Sequence, residues 1–204
     1  MSKGFLDKAY SASDAAGVRS LYDDWAESYD AELTDNAYAT PRRCAETLAA
    51  HLGDKSLPVL DFGCGTGLSG QALAAAGFET IDGIDLSAEM LAKARAKQVY
   101  RDLRQIDGGA PLGHSPGDYS ATVAAGVIGV GAAPVTVIDP IMEGLAAGGL
   151  FVLSLNDHAL DLPEYEGALD SWIGSGRARL LFKEYGPHIP RIGLKANVYV
   201  IEKS

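Results

Sequence analysis

The chain has 204 residues, of which 47% are hydrophobic, and its formal net charge is −10. That length fits one domain with a core of its own, and the negative charge argues against a nucleic-acid substrate, because phosphate recognition needs clustered Lys and Arg. Its two cysteines give no disulfide framework, and its first residues lack the apolar stretch of a signal peptide, so we expect a cytoplasmic protein. No apolar run is long enough to cross a bilayer, so we expect no membrane contact.

Two helices are predicted ahead of the central part of the chain. Apolar and aromatic residues recur at three- and four-residue spacing over residues 11–31, which predicts the first helix. The second is predicted from Thr40, with Pro41 at its first turn and Gly53 at its end.

Strands and helices then alternate. Strands are predicted over residues 57–62, 79–84, 99–106, 118–125 and 150–155, with helices over residues 68–76, 87–94 and 138–145, then a helix over residues 165–173 and two paired strands over residues 177–185 and 195–202. Pro140 lies within a helical stretch and is predicted to kink it. Apolar strands of this kind are typical of parallel strands buried on both faces, so the pattern predicts a doubly wound α/β sheet.

The most informative motif is VLDFGCGTGLSG, residues 59–70. Asp61 ends the first apolar strand, and three alternating glycines follow it, namely Gly63, Gly65 and Gly67. Asp85 ends the second apolar strand, twenty positions after Gly65. This spacing indicates a nucleotide-binding strand–loop–helix–strand unit.

Two classes of ligand compete for this loop, besides a simple tight turn in an unrelated α/β protein. Gly65, Gly67 and Gly70 match the dinucleotide fingerprint, in which the loop holds an anionic pyrophosphate. The carboxylate of Asp61 would repel that anion. S-adenosylmethionine carries a sulfonium and an ammonium group and no phosphate, so Coulomb attraction to Asp61 favours it.

At these residues the chain resembles the class I S-adenosylmethionine-dependent methyltransferases. The stretch DFGCGTG, residues 61–67, resembles their motif I, residues 81–91 resemble their second motif, and residues 22–30 resemble the lid found upstream in many of them. Residues 90–103 also resemble the Williams–Beuren-region methyltransferase-like subgroup. The resemblance implies a Rossmann-like seven-stranded sheet with an antiparallel last strand, and one methyltransferase domain over residues 1–204 with a helical lid over residues 1–53.

The resemblance also implies roles for individual residues around the cofactor. Asp61 and the loop would hold the methionine part, Asp85 would accept both ribose hydroxyls, and Asp107 would accept from the adenine amino group, with Asp102 as the alternative if the register shifts. The cofactor-binding residues implied in this way are Asp61, Gly63, Cys64, Gly65, Gly67, Asp85, Leu86, Asp107, Tyr22, Tyr29 and Ala125. Cys64 has no neighbouring His and is not expected to act as a nucleophile. The four histidines show no metal-binding spacing.

The methyl acceptor is the least determined part of this prediction. The Asn-Pro-Pro-Tyr type of motif is missing after the fourth strand, where residues 124–129 are apolar, so exocyclic amines of bases and glutamine side chains are disfavoured. A small molecule is the first expectation and a protein the second. No residue stands out as a general base, although Asp30, His158 and Tyr29 are candidates. A binding module without turnover stays open, and a nicotinamide-dependent oxidoreductase is less favoured because Asp61 would repel the pyrophosphate of its cofactor.

Overall fold

A computed structural model describes residues 15–109 and 112–204. Its seven strands form one sheet in the order β3-β2-β1-β4-β5-β7-β6. Only β7 runs antiparallel to its neighbours, β5 and β6. The strands are β1 (Val59–Phe62), β2 (Ile81–Asp85), β3 (Asp102–Gln105), β4 (Ala121–Ala124), β5 (Leu150–Asn156), β6 (Ala178–Ile189) and β7 (Leu194–Lys203). The predicted doubly wound sheet with an antiparallel last strand is confirmed.

Helices cover both faces of this sheet. They are α1 (Ala15–Trp25), α2 (Tyr29–Asp35), α3 (Thr40–His51), α4 (Leu68–Ala75), α5 (Ala88–Ala96), α6 (Ile138–Glu143), α7 (Asp157–Leu160) and α8 (Pro163–Gly174), with 3₁₀ turns at Val135–Val137 and Pro190–Ile192. One apolar core includes Phe151 and Leu153 of β5, and a second includes Val152 of β5 with Leu48 and Leu73 of α3 and α4. Within residues 15–109 and 112–204, every helix is too short or too polar to span a bilayer.

The first predicted helix is wrong in its extent, since the described part of residues 11–31 contains two helices rather than one. The chain turns between Trp25 and Tyr29, where the backbone N–H of Ser28 donates to the carbonyl of Trp25 at 3.0 Å. This turn brings the indole Nε1 of Trp25 to Glu32, to which it donates at 2.9 Å. Residues 11–14 lie outside the described ranges.

Two further details of the prediction are wrong. The third strand was predicted over residues 99–106, but it is four residues long and begins at Asp102. Tyr100 lies outside it, because its hydroxyl bonds to residues around the glycine loop, as described below. Pro140 does not lie in the interior of α6, because it is the third residue of that helix and belongs to its first turn. A backbone N–H in the first turn has no helical partner, so proline removes nothing there.

Candidate active site

The glycine loop between β1 and α4 adopts a conformation that L side chains rarely adopt. Gly63, Gly65 and Gly67 have φ of +67°, +53° and +92°. A Cβ added to Gly63 would lie 2.2 Å from Cγ2 of Val127, whereas one added to Gly65 would meet nothing within 4 Å. The loop therefore packs against Val127 on one side and leaves its backbone at Gly65 open to a ligand.

Asp61 is a fully buried carboxylate directly before this loop. Its Oδ2 accepts from the hydroxyls of Ser69 at 2.6 Å and Tyr100 at 2.7 Å. Its Oδ1 is buried and has no hydrogen-bond partner among the described residues. Burial raises the pKa of Asp61 to about 6, although the two hydroxyls act in the opposite direction. A buried carboxylate with an unpartnered oxygen suits a cationic ligand group, because the cation would compensate the buried charge. The predicted cofactor, S-adenosylmethionine, carries two such groups.

Tyr100 is a residue of this site that the sequence reasoning missed. Its hydroxyl donates to Asp61 and accepts from the backbone N–H of Gly70 at 3.1 Å. Its ring lies so close to Gly70 that a Cβ there would be 2.3 Å from Cζ, and a Cβ at Gly83 would be 3.0 Å from Cε1. Gly70, one of the three glycines that match the dinucleotide fingerprint, thus leaves space for the ring of Tyr100.

This contact gives a direct stability test. We expect Gly70→Ala to destabilise the protein by about 1–3 kcal/mol, because overpacking against Tyr100 outweighs the helix preference of alanine. Chemical denaturation of both proteins measures the difference. Gly53→Ala is the matched control, since a Cβ there meets nothing within 4 Å. Equal stabilities of the two variants would contradict this packing.

Asp85 lies at the carboxyl end of β2 and braces the loop. Its Oδ2 accepts from the backbone N–H of Gly65 at 2.8 Å and its Oδ1 from that of Ser87 at 2.9 Å. Burial raises its pKa, against the lowering effect of these bonds. Each carboxylate oxygen keeps a further acceptor site. The next residue, Leu86, is half-buried, and its carbonyl accepts from the Gln105 amide at 2.9 Å.

The two alternatives for an adenine contact lie at opposite ends of β3. Asp107 follows the carboxyl end, its side chain is 83% exposed, and it pairs with Arg19 of α1 at 2.6 Å. Asp102 begins the strand and pairs with Arg104 at 3.5 Å. Ligands of doubly wound sheets bind at the carboxyl ends of the strands, so the geometry favours Asp107.

Helices α1 and α2 are tied to the glycine loop and to α5. Asp30 accepts from the hydroxyl of Thr66 and pairs with Lys97 at 2.7 Å. Asp23 accepts from the hydroxyl of Ser87. The engagement of Asp30 in an ion pair speaks against it as a general base. Burial raises the pKa of the Tyr29 phenol well above its ordinary value, with the nearby Tyr38 as the next cause, which speaks against Tyr29 as well.

A cleft that is open to solvent lies beneath these helices. We call it the aromatic cleft; its lining is Tyr22, Trp25, Tyr29, Leu33, Tyr38, Gly126, Ile128, Gly129, Val130, Ala132, Asn156, His188 and Ile189. The rings of Trp25 and Tyr29 are 4.6 Å apart and those of Tyr22 and Tyr29 are 6.3 Å apart. Among the described residues that line the cleft, none is Lys, Arg, Asp or Glu.

The aromatic cleft adjoins the glycine loop through the segment that follows β4. Val127 packs against Gly63, while its neighbours Gly126 and Ile128 line the cleft. Ala125, just before them, has a carbonyl that accepts from the Tyr38 hydroxyl at 3.4 Å. A ligand on the loop and a second ligand in the cleft would therefore be neighbours.

His188 of β6 is the second residue that the sequence reasoning missed as part of a site. It is 5% exposed, and its Nδ1 lies 2.6 Å from the hydroxyl of Thr40. Burial lowers its pKa to about 4. The two partners are 148 positions apart in the chain, so no local pattern joins them. His158, the candidate from the sequence, is exposed on α7.

Cys64 of the glycine loop is buried, and its backbone N–H donates to the carbonyl of Ile84 at 3.0 Å. Its thiol packs against β2, since a Cβ added to Gly83 would lie 2.9 Å from Sγ. Burial raises its pKa well above its ordinary value, which agrees with the expectation that it is no nucleophile. Across residues 15–109 and 112–204, no group of three or more His, Cys, Asp and Glu side chains could hold a metal ion.

Comparison with known proteins identifies the family. A family model described as a methyltransferase domain matches residues 59–149. Human Methyltransferase-like protein 27 is 32% identical over 166 residues, which are 80% of this chain and 67% of the human protein. The chain belongs to the class I S-adenosylmethionine-dependent methyltransferases. The cofactor of this methyltransferase is S-adenosylmethionine, as the acidic residue before the glycine loop predicts. The narrower Williams–Beuren-region subgroup stays a prediction.

Other relatives share less with this methyltransferase. The 18S rRNA (guanine(1575)-N(7))-methyltransferase of Saccharomyces cerevisiae is 34% identical over 70 residues, which are 34% of this chain and 26% of the yeast protein. The crystal structure of magnesium protoporphyrin IX methyltransferase from Synechocystis PCC 6803 with bound S-adenosylmethionine superimposes with a TM-score of 0.67 over 95% of this chain and 99% of that one. Their identity is 17%, so this similarity shows the fold alone.

Proposed function

We propose that this methyltransferase methylates an uncharged small molecule bound in the aromatic cleft. The observation that carries the proposal is that Val127 contacts the glycine loop while its neighbours line the cleft. A concave site lined by aromatic and aliphatic residues together with a few polar groups is typical of small-molecule sites. Without fixed charge among its described lining residues, the cleft suits a neutral acceptor.

The residues at the carboxyl ends of the strands fit S-adenosylmethionine. We assign the methionine end to Asp61, whose Oδ1 lacks a partner, and to the backbone of residues 63–67. We assign the ribose to Asp85, and the adenine to Leu86 and Asp107. Tyr22, Tyr29 and the strand end at Ala125 complete the proposed site, and residues 1–53 are proposed as its lid.

The bound cofactor supplies a methyl group already activated on a sulfonium. What remains for the chain is to hold the acceptor in line and to exclude water, and such orientation can contribute about 7 kcal/mol or more. The covering rings of Tyr22, Trp25 and Tyr29 are placed for the exclusion of water.

Other acceptors are less favoured by the residues present. The yeast relative is named for an rRNA guanine, but it matches only 34% of this chain. A net charge of −10 and a cleft without described basic residues speak against RNA. A protein acceptor is the next possibility after a small molecule. A cytoplasmic location is proposed from two free, buried thiols, those of Cys44 and Cys64.

Titration calorimetry tests the proposed cofactor residues. We expect Asp85→Ala to weaken the binding of S-adenosylmethionine by about 1–3 kcal/mol, because charge-assisted hydrogen bonds to the ribose are lost. Asp107→Ala should weaken binding by a smaller amount, since its carboxylate is exposed. Asp102→Ala is the matched control at the amino end of β3 and should bind S-adenosylmethionine like the wild-type protein. Tighter binding of NADH than of S-adenosylmethionine would contradict the assignment.

A transfer screen tests the acceptor class. The protein is incubated with radiolabelled S-adenosylmethionine and pools of small molecules, proteins or RNA, with Asp61→Ala as the inactive control. The proposal predicts label in the small-molecule pool. Label in the RNA or protein pool instead would overturn it, and normal cofactor binding without transfer to any pool would favour a binding module.

A further inference from the structure

His188 is held at the wall of the aromatic cleft by the start of α3. Its backbone carbonyl accepts from the N–H of Ala39 at 2.9 Å, and its Nδ1 lies 2.6 Å from the hydroxyl of Thr40, which is fully buried. The ring of Tyr38 packs edge-on against the imidazole, with centroids 5.2 Å apart. Main-chain and side-chain contacts thus fix the plane of this ring.

The other ring nitrogen of His188 is not used by the fold. Within residues 15–109 and 112–204, the structure gives Nε2 no hydrogen-bond partner. Apart from His188 and the tyrosines, two polar side chains line the cleft, one of which is Trp25, whose indole donates to Glu32. The other, Asn156, uses its Oδ1 to cap α7, accepting from the N–H of Ala159 at 3.1 Å. If Nδ1–H donates to Thr40, Nε2 carries a lone pair.

The position of His188 relative to the cofactor loop follows from Gly126. A Cβ added to Gly126 would lie 3.5 Å from Cε1 of His188 and 1.9 Å from the hydroxyl of Tyr38. The next residue, Val127, contacts Gly63 of the loop. The imidazole therefore lies on the side of the cleft that adjoins the cofactor loop.

We propose that His188 is the proton acceptor of this methyltransferase, that Thr40 is its positioning residue, and that the methyl acceptor is a phenol. This rests on the function proposed above. A phenol matches a cleft lined by the rings of Tyr22, Trp25, Tyr29 and Tyr38, and it needs a base because its hydroxyl is weakly acidic. Burial lowers the pKa of His188, assisted by Arg43 and His158 and opposed by Asp157. The imidazole is therefore unprotonated near pH 7, and the same shift makes it a weaker base than a free imidazole.

The step balances in charge and atoms. The phenol oxygen forms a bond to the methyl carbon, the bond between that carbon and sulfur breaks with both electrons going to sulfur, and the hydroxyl proton moves to Nε2 of His188. The positive charge of the sulfonium is replaced by that of the imidazolium. The net charge of the site stays constant, and the proton then passes to solvent.

The acidity of the acceptor separates a chemical role from a structural one. At about pH 8.5, simple phenols of the tyrosine type are protonated, whereas 4-nitrophenol is ionised and needs no base. We use His188→Asn, whose amide can still donate to Thr40 but offers nothing at Nε2. Its kcat should fall on the order of 100-fold with phenol and 4-methylphenol, and by less than about 3-fold with 4-nitrophenol.

Variants of Thr40 test the positioning role, and cofactor binding keeps the outcomes distinct. Thr40→Val should lower kcat about 10-fold with phenol at unchanged KM, and Thr40→Ser should restore it. Equal losses with all phenols in His188→Asn, or no loss, would overturn the proposal. If the wild-type protein binds S-adenosylmethionine but methylates no phenol, this inference fails while the proposed function stands. Failure to bind the cofactor would overturn both.

Discussion

Replacing Asp61 with Asn is expected to weaken S-adenosylmethionine binding on the order of 100-fold, which is about 3 kcal/mol. The carboxylate is fully buried, and its Oδ1 has no partner among the described residues. A cationic group of the cofactor would supply that partner. The amide of the variant keeps an acceptor for Ser69 and Tyr100 but loses the charge. Titration calorimetry near pH 7 measures the change.

The same substitution is expected to change stability in the opposite direction. The pKa of Asp61 is raised from 3.8 to about 6, chiefly by burial. A raised carboxyl pKa contributes stability that is fully present below pH 3.8 and is lost as the pH rises through about 6. Two units correspond to about 3 kcal/mol. Between about pH 4 and pH 7 the wild-type protein should therefore lose about that much stability relative to Asp61→Asn.

A matched control separates this site from a general loss of charge. Asp102→Asn also removes one carboxylate, at the amino end of β3, and should leave the affinity unchanged. If Asp61→Asn bound the cofactor as tightly as Asp102→Asn does, the charge of Asp61 would have no role in binding.

Arg43→Ala is expected to be the most destabilising change outside the cofactor site, by about 3–5 kcal/mol. The side chain of Arg43 is 9% exposed, and its guanidinium donates to the carbonyls of Pro187, Ala196 and Glu184 at 3.0 Å each. Alanine leaves these acceptors in place without a donor. In a chain of this size we expect the melting temperature to fall by roughly 10 °C.

The neighbouring arginine provides the control for that experiment. Arg42 is 71% exposed and makes one ion pair, with Glu46 on the same helix. Exposed pairs of this kind contribute about 0.5 kcal/mol or less, so Arg42→Ala should melt like the wild-type protein. Similar melting temperatures for the two variants would contradict the anchoring of β6 and β7 by Arg43.

Patterns that are local in the chain carried most of the fold prediction. The strand at β1, the glycine turn and the second acid at Asp85 lie within about thirty residues, and they predicted the sheet and the cofactor. Ser87 was predicted to begin a helix, and its hydroxyl does accept from the N–H of Met90 at 3.0 Å. The spacing of apolar residues along one helix or strand follows the repeat of that element, so it can be read from the local sequence.

The missed features depend on contacts between distant segments. Tyr100 leaves the third strand because its hydroxyl reaches Asp61, 39 positions earlier. Thr40 and His188 meet only once β6 has folded against the start of α3. Propensity describes single segments, and these contacts belong to the assembled sheet.

Proton release on cofactor binding tests the central claim most directly, because it reports the charge of Asp61 itself. At about pH 6 the carboxyl group of Asp61 is half protonated in the free protein. The amino group of S-adenosylmethionine is already charged at that pH. Calorimetry in buffers of different ionisation enthalpy should show release of about half a proton by the wild-type protein and none by Asp61→Asn. Binding without proton release, or the same release by both proteins, would contradict a site in which a buried carboxylate pairs with a cationic cofactor.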